Sequence, residues 1–108
     1  MCRWVDVANA YHLTPGSRRD LDVYGVIVAV FNIDGEYYAF KDACPNDGRE
    51  LLKGEVRGDE IICPRHGERY SIRTGVMLDQ PAKEKLDIFP VRVSRGMVQI
   101  EIEMPELH

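Results

Sequence analysis

The chain has 108 residues, 44% hydrophobic and 30% charged, which fits one folded domain of ordinary composition and excludes wholesale disorder. Lysine and arginine number 14 against 18 aspartates and glutamates, a formal net charge of -4, so neither nucleic acid nor an anionic membrane surface is an expected partner. The longest apolar run, Val26 to Phe31, falls far short of the roughly 18 residues of a membrane span. The first residues carry no apolar stretch of signal-peptide length, and a single cytoplasmic domain over 1–108 is expected.

Trp4, Val5 and Val7 predict a short opening strand, and Ala8 to Leu13 one helical turn closed by Thr14-Pro15-Gly16. Arg18 to Tyr24 alternates polar and apolar residues, the period of a strand, until Gly25 breaks it. Val26 to Ile33 is a dense β-branched run suited to a buried strand. Asp34-Gly35 marks a tight hairpin, because such a turn needs residues that tolerate positive φ, and Glu36 to Lys41 returns as an aromatic strand. A polar loop then runs to Lys53. Glu55 to Cys63 predicts a second hairpin turning at Arg57-Gly58-Asp59. A second loop follows, then Tyr70-Ser71-Ile72, a Thr74-Gly75 turn, and a last strand pair, Leu86 to Val93 and Met97 to Ile102, joined by Ser94-Arg95-Gly96. Short strands at regular spacing with turn chemistry between them make the fold class all-β, a sandwich or barrel.

Three cysteines do not make a disulfide framework. Cys2 is a terminal bystander. Cys44 and Cys63 each open a proline-containing tetrapeptide, Cys44-Pro45-Asn46-Asp47 and Cys63-Pro64-Arg65-His66. Neither has a second cysteine three residues on, which rules out a redox dithiol of the Cys-x-x-Cys kind. A disulfide between the two stays open. Thiolate and imidazole are donors that soft metals take, so two loops presenting Cys44-x-Asn46 and Cys63-x-x-His66, with sixteen residues between Asn46 and Cys63, make a candidate metal centre. The prolines stiffen the loops, and Gly48 and Gly67 let them turn back.

This pattern resembles the Rieske-type iron–sulfur proteins, whose signature is Cys-x-His, about sixteen residues, then Cys-x-x-His, with two cysteines on one iron of a [2Fe–2S] cluster and two histidines on the other. The likeness extends over His66-Gly67-Glu68-Arg69-Tyr70-Ser71-Ile72-Arg73-Thr74-Gly75, over Pro81-Ala82 at the position of the family's proline loop, and over Phe89-Pro90-Val91-Arg92-Val93. The N-terminal half, from Trp4 through Asp34-Gly35 to Tyr38-Ala39, is similar to a soluble Rieske ferredoxin. The resemblance implies a β-sandwich base with a small cluster-binding subdomain made of loops at about 42–53 and 63–70, covered by a proline loop at about 79–84. High-potential respiratory members carry an extra cysteine in each loop; these loops have none, as in the ferredoxins that serve oxygenases.

One position departs from the pattern: Asn46 stands where the family has its first histidine. The expected ligands are therefore Cys44, Cys63 and His66, with Asn46 or a water completing the second iron and leaving the cluster labile. The alternatives are a carboxylate from Asp47, a fold that has lost the cluster and works by docking (as the small subunits of some assimilatory nitrite reductases resemble), or one zinc or iron held by Cys44, Cys63 and His66.

The function implied is one-electron transfer from a flavoprotein reductase to a terminal oxygenase or similar enzyme, as a component that is not catalytic alone. Hydroxyls of Tyr70 or Ser71 are candidate hydrogen-bond donors to cluster sulfur, and His66 is the expected electron exit. Arg49, Arg65 and Arg69 are solvated or docking positions. Lys83-Glu84-Lys85, His12 and His108 are read as surface.

Overall fold

The computed structural model describes residues 1–45, 51, 54–64, 67–80 and 85–104, and among these there is no helix. Strands β1 (Cys2–Asn9), β2 (Arg18–Val23), β3 (Val26–Ile33) and β4 (Glu36–Lys41) precede the first cysteine. Short strands β5 (Val56–Arg57), β6 (Glu60–Ile62) and β7 (Arg69–Ser71) flank the second. The chain closes with β8 (Ile88–Phe89), β9 (Val91–Ser94) and β10 (Met97–Glu103). They form three antiparallel sheets, ordered β2-β3-β4-β8, β1-β10-β9 and β5-β6-β7.

Two-residue turns set the registers. Tyr24-Gly25, Asp34-Gly35 and Arg95-Gly96 all have positive φ at both positions, the type I′ geometry whose twist matches that of paired strands. Two of these turns are braced from the strand before them: Asp22 Oδ1 accepts the Gly25 N–H at 2.8 Å, and Asn32 Oδ1 accepts that of Gly35 at 2.8 Å. Sequence reading marks the Asp34 turn and treats Gly25 only as a break, whereas Val23 pairs directly with Val26 across a second tight hairpin.

β3 sits between two cores. Val28 and Val30 face Val7, Leu13, Val98 and Ile100, while Ala29, Phe31 and Ile33 face Phe40, Leu51, Ile61, Tyr70 and the two cysteines of the loops. Every side chain from Val28 to Ile33 is buried, which accounts for a continuous apolar run where a one-faced strand would alternate.

Two expectations are corrected. The proposed helical turn at Ala8–Leu13 begins inside β1, because Ala8 pairs with Val98 of β10 after a bulge between Asp6 and Ala8. Only a single turn follows, with the His12 and Leu13 N–H groups donating to Asn9 O and Asn9 Oδ1 accepting from Tyr11 N. The segment Leu86–Val93 is likewise not one strand. Phe89 pairs with Ala39 of β4 and Val91 with Ile100 of β10, so the chain changes sheets at Pro90, which has no N–H to continue a ladder.

Candidate metal centre

The first ligand loop leaves β4 through Asp42, whose N–H donates to Ile27 O. The Asp42 carboxylate is buried and accepts the Leu51 N–H at 2.7 Å, so the two ends of the loop are fastened to each other. Its close comes at Gly54, whose N–H donates to Leu51 O at 2.7 Å. The second loop leaves β6. The Cys63 N–H donates to Glu68 O at 2.8 Å and Cys63 O accepts from Gly67 N at 2.9 Å, which folds the chain back into β7.

These two exits bring Cys44 and Cys63 together. Both are 1% exposed, neither is in a disulfide, and their sulfurs lie 3.6 Å apart. A disulfide requires about 2.05 Å. Two thiolates on one tetrahedral metal, each at about 2.3 Å from it, sit about 3.8 Å apart. The pair therefore has the spacing of two ligands to one ion, and the chemistry of the donors fits iron or zinc. Among the described residues no third His, Cys, Asp or Glu joins them as a metal cluster. Asn46 and His66 lie outside the described residues, as do Asp47, Arg49, Arg65, the proline-loop residues Pro81 and Ala82, Lys83, Glu84 and His108.

Tyr70 is fully buried beside the pair. Its hydroxyl donates to Glu68 Oε2 at 2.8 Å. Burial pushes its phenol far above the ordinary tyrosine range, and hydrogen bonding and charge from Glu68 and Cys44 push in the same direction. Ser71, the other hydroxyl singled out from the sequence, is engaged in a turn: its Oγ accepts from Thr74 N at 3.2 Å and its carbonyl from Gly75 N at 2.7 Å. Arg69 is tied up on both sides, to Asp79 at 2.9 Å and Glu60 at 3.3 Å, which fixes the entry to the proline loop against β7. The Asp79 carboxyl is accordingly held below the usual range by Arg69.

Sequence reading misses Arg73. From the turn after β7 it reaches Asp59 Oδ2 at 3.1 Å, the Tyr38 hydroxyl at 2.7 Å, Glu36 Oε2 at 3.3 Å and Asp34 Oδ2 at 3.8 Å. Its partners are scattered over the chain, so no local signal marks it.

A family model, the Rieske [2Fe-2S] domain, matches residues 3–90. The chain belongs to the Rieske [2Fe–2S] domain family. It is 28% identical over 100 residues to the ferredoxin component of the naphthalene 1,2-dioxygenase system of Pseudomonas aeruginosa, covering 93% of this chain and 96% of that one. It is 32% identical over 98 residues to ferredoxin CarAc of Metapseudomonas resinovorans, covering 90% and 92%. Among solved structures it superposes with a TM-score of 0.82 and 30% identity on a chain of the complex of reduced oxygenase and oxidized ferredoxin in carbazole 1,9a-dioxygenase, covering 96% of this chain and 97% of that one. The ferredoxin of Sphingomonas yanoikuyae B1 shares the fold, with a TM-score of 0.80 at 24% identity, covering 94% and 100%. In a Rieske domain two cysteines hold one iron, and the 3.6 Å between Cys44 and Cys63 is compatible with two ligands to one ion. Among the described residues no helix is long and apolar enough to cross a membrane.

Proposed function

We propose that this Rieske domain is a one-electron carrier that takes electrons from a flavoprotein reductase and delivers them to a terminal oxygenase, and is not a catalyst by itself. The observation that carries the reading is the buried, unbridged pair Cys44 and Cys63 at 3.6 Å, within a fold shared with ferredoxin components of dioxygenase systems. Cys44 and Cys63 would hold one iron of a [2Fe–2S] cluster; His66 and the Asn46 position would serve the other. A cluster of this kind takes up and releases single electrons. The chain's own residues bury the two sulfurs and fasten both loops through Asp42 and Cys63 N–H. A hydrogen bond to cluster sulfur would raise the potential, but the Tyr70 hydroxyl gives its one proton to Glu68 Oε2 at 2.8 Å and would have to turn from it to serve Cys44. Ser71 Oγ accepts from Thr74 N, which leaves its own proton available to donate.

An amide oxygen is a poor substitute for imidazole on iron, so the cluster would be more labile than one with two histidines. The test is iron, zinc and acid-labile sulfide per chain after anaerobic purification, then EPR after dithionite. About two irons and two sulfides with a rhombic signal are expected. Absence of both, even after reconstitution, would overturn the carrier reading and leave a docking subunit; zinc alone would mean a single-metal site.

A further inference from the structure

We infer that the trough running from Tyr24 to Cys44 is a docking groove for a redox partner's surface segment that presents an apolar side chain next to a carboxylate. This rests on the electron-carrier reading and names where and by what chemistry the partner engages. The observation is a pair of adjoining cavities. One, of about 550 Å³, is walled by the apolar side chains of Tyr24, Val26, Phe89, Ile102 and Met104, with Lys41 at one side. The other, of about 340 Å³, is bounded by Lys41, Pro45, Lys85 and Cys44 itself. Lys41 and Asp87 line both, so the two cavities adjoin at these residues, and the second is bordered by the ligand cysteine.

Three features select the occupant. Tyr24 is 45% exposed and takes a φ of 52°, in a turn position that favours Asn, Asp or Gly, so an aromatic ring is presented half-exposed at a backbone cost. The chain as a whole is anionic, yet the end of the trough next to Cys44 carries Lys41 and Lys85 against Asp87, while Glu103 stands at the apolar end. A segment with an apolar side chain among Tyr24, Phe89 and Met104 and its carboxylate at Lys41 matches both halves. A partner seated this way lies beside the loop that carries the buried Cys44, which suits electron exchange.

Anilinonaphthalene sulfonate, an aromatic body with one anionic group, is the probe. Added to the holoprotein, it should bind saturably, with NMR shifts gathered at Tyr24, Val26, Lys41 and Ile102. Lys41→Glu should weaken it about five-fold, and Arg95→Glu, on a remote turn, should leave it unchanged. Shifts elsewhere, no saturable binding, or indifference to Lys41→Glu would overturn the proposal. So would binding that appears only after removal of residues 105–108, or a concentration-dependent dimer lost in Tyr24→Ser, since the occupant would then be the chain's own end or a second copy. Iron and sulfide are read on the same sample, so loss of the cluster with the probe site intact would count against the carrier function alone.

Discussion

The guanidinium of Arg73 meets the hydroxyl of Tyr38 at 2.7 Å and lies 5.4 Å over its ring. Tyr38 stands on β4 of the central sheet, and Arg73 follows β7 in the sheet that carries the second ligand loop. With Asp59 on the β5–β6 turn as a further partner, Arg73 clasps the ligand-bearing sheet to the base. Nearby, the Ile72 N–H donates to Asp59 O at 2.7 Å. Arg73→Ala should therefore speed amide exchange at Ile72 while leaving the amides of β3 protected, and Arg73→Lys, which keeps the charge and loses the fork, should fall between. Equal exchange at Ile72 in all three proteins would refute the clasp.

Gly54 is where the first loop closes against the strand entering the second. A methyl group there would lie 2.2 Å from Ile62 O and 2.8 Å from Leu51 O, both backbone atoms. Gly54→Ala should cost about 3 kcal/mol by chemical denaturation, because backbone has to move. Gly58→Ala meets open space and only the penalty of its φ of 62°, about 1 kcal/mol. Equal costs would show that the close contact is not tight.

Tyr70 predicts a pH dependence. Its phenol is held protonated in the folded protein, chiefly by burial, whereas in the unfolded chain it ionises near about pH 10. Above that pH the unfolded state binds fewer protons than the folded one, so stability falls as pH rises. Tyr70→Phe should show a shallower alkaline decline in urea unfolding. A decline as steep as that of the parent protein would remove Tyr70 as its source.

The ligand set predicts two behaviours of the loaded protein. Asn46→His should slow the release of iron to a chelator, and Cys44→Ser or Cys63→Ser should abolish iron retention. With His66 as the single imidazole, the potential should fall less steeply with pH above neutrality than after Asn46→His, because imidazole on iron couples reduction to protonation. Matching slopes in potentiometry would argue against that assignment.

Much of this was legible where the information is local. Asp34-Gly35 located the β3–β4 hairpin because both residues tolerate the φ the turn demands, and the two loop cysteines, paired from the sequence as donors to one site, do lie together at 3.6 Å. What escaped depends on distant partners. Ala8 is a strand residue only because Val98 pairs with it, and Pro90 divides a strand only because β4 and β10 lie on either side to receive the halves. Arg73 escaped for the same reason, its partners lying at Asp34, Glu36, Tyr38 and Asp59.

The division of β3 between two cores has a bearing on how the sulfurs are placed. Sliding that strand by one residue would turn Phe31 towards Val98 and Val30 towards Ile61, a mismatch felt on both faces at once. Most strands are proofread from one side; β3 is proofread from two. Val28 pairs with Lys41, and Cys44 comes three residues later, so the same double check that sets the phase of the hairpin also meters out the chain to the first sulfur.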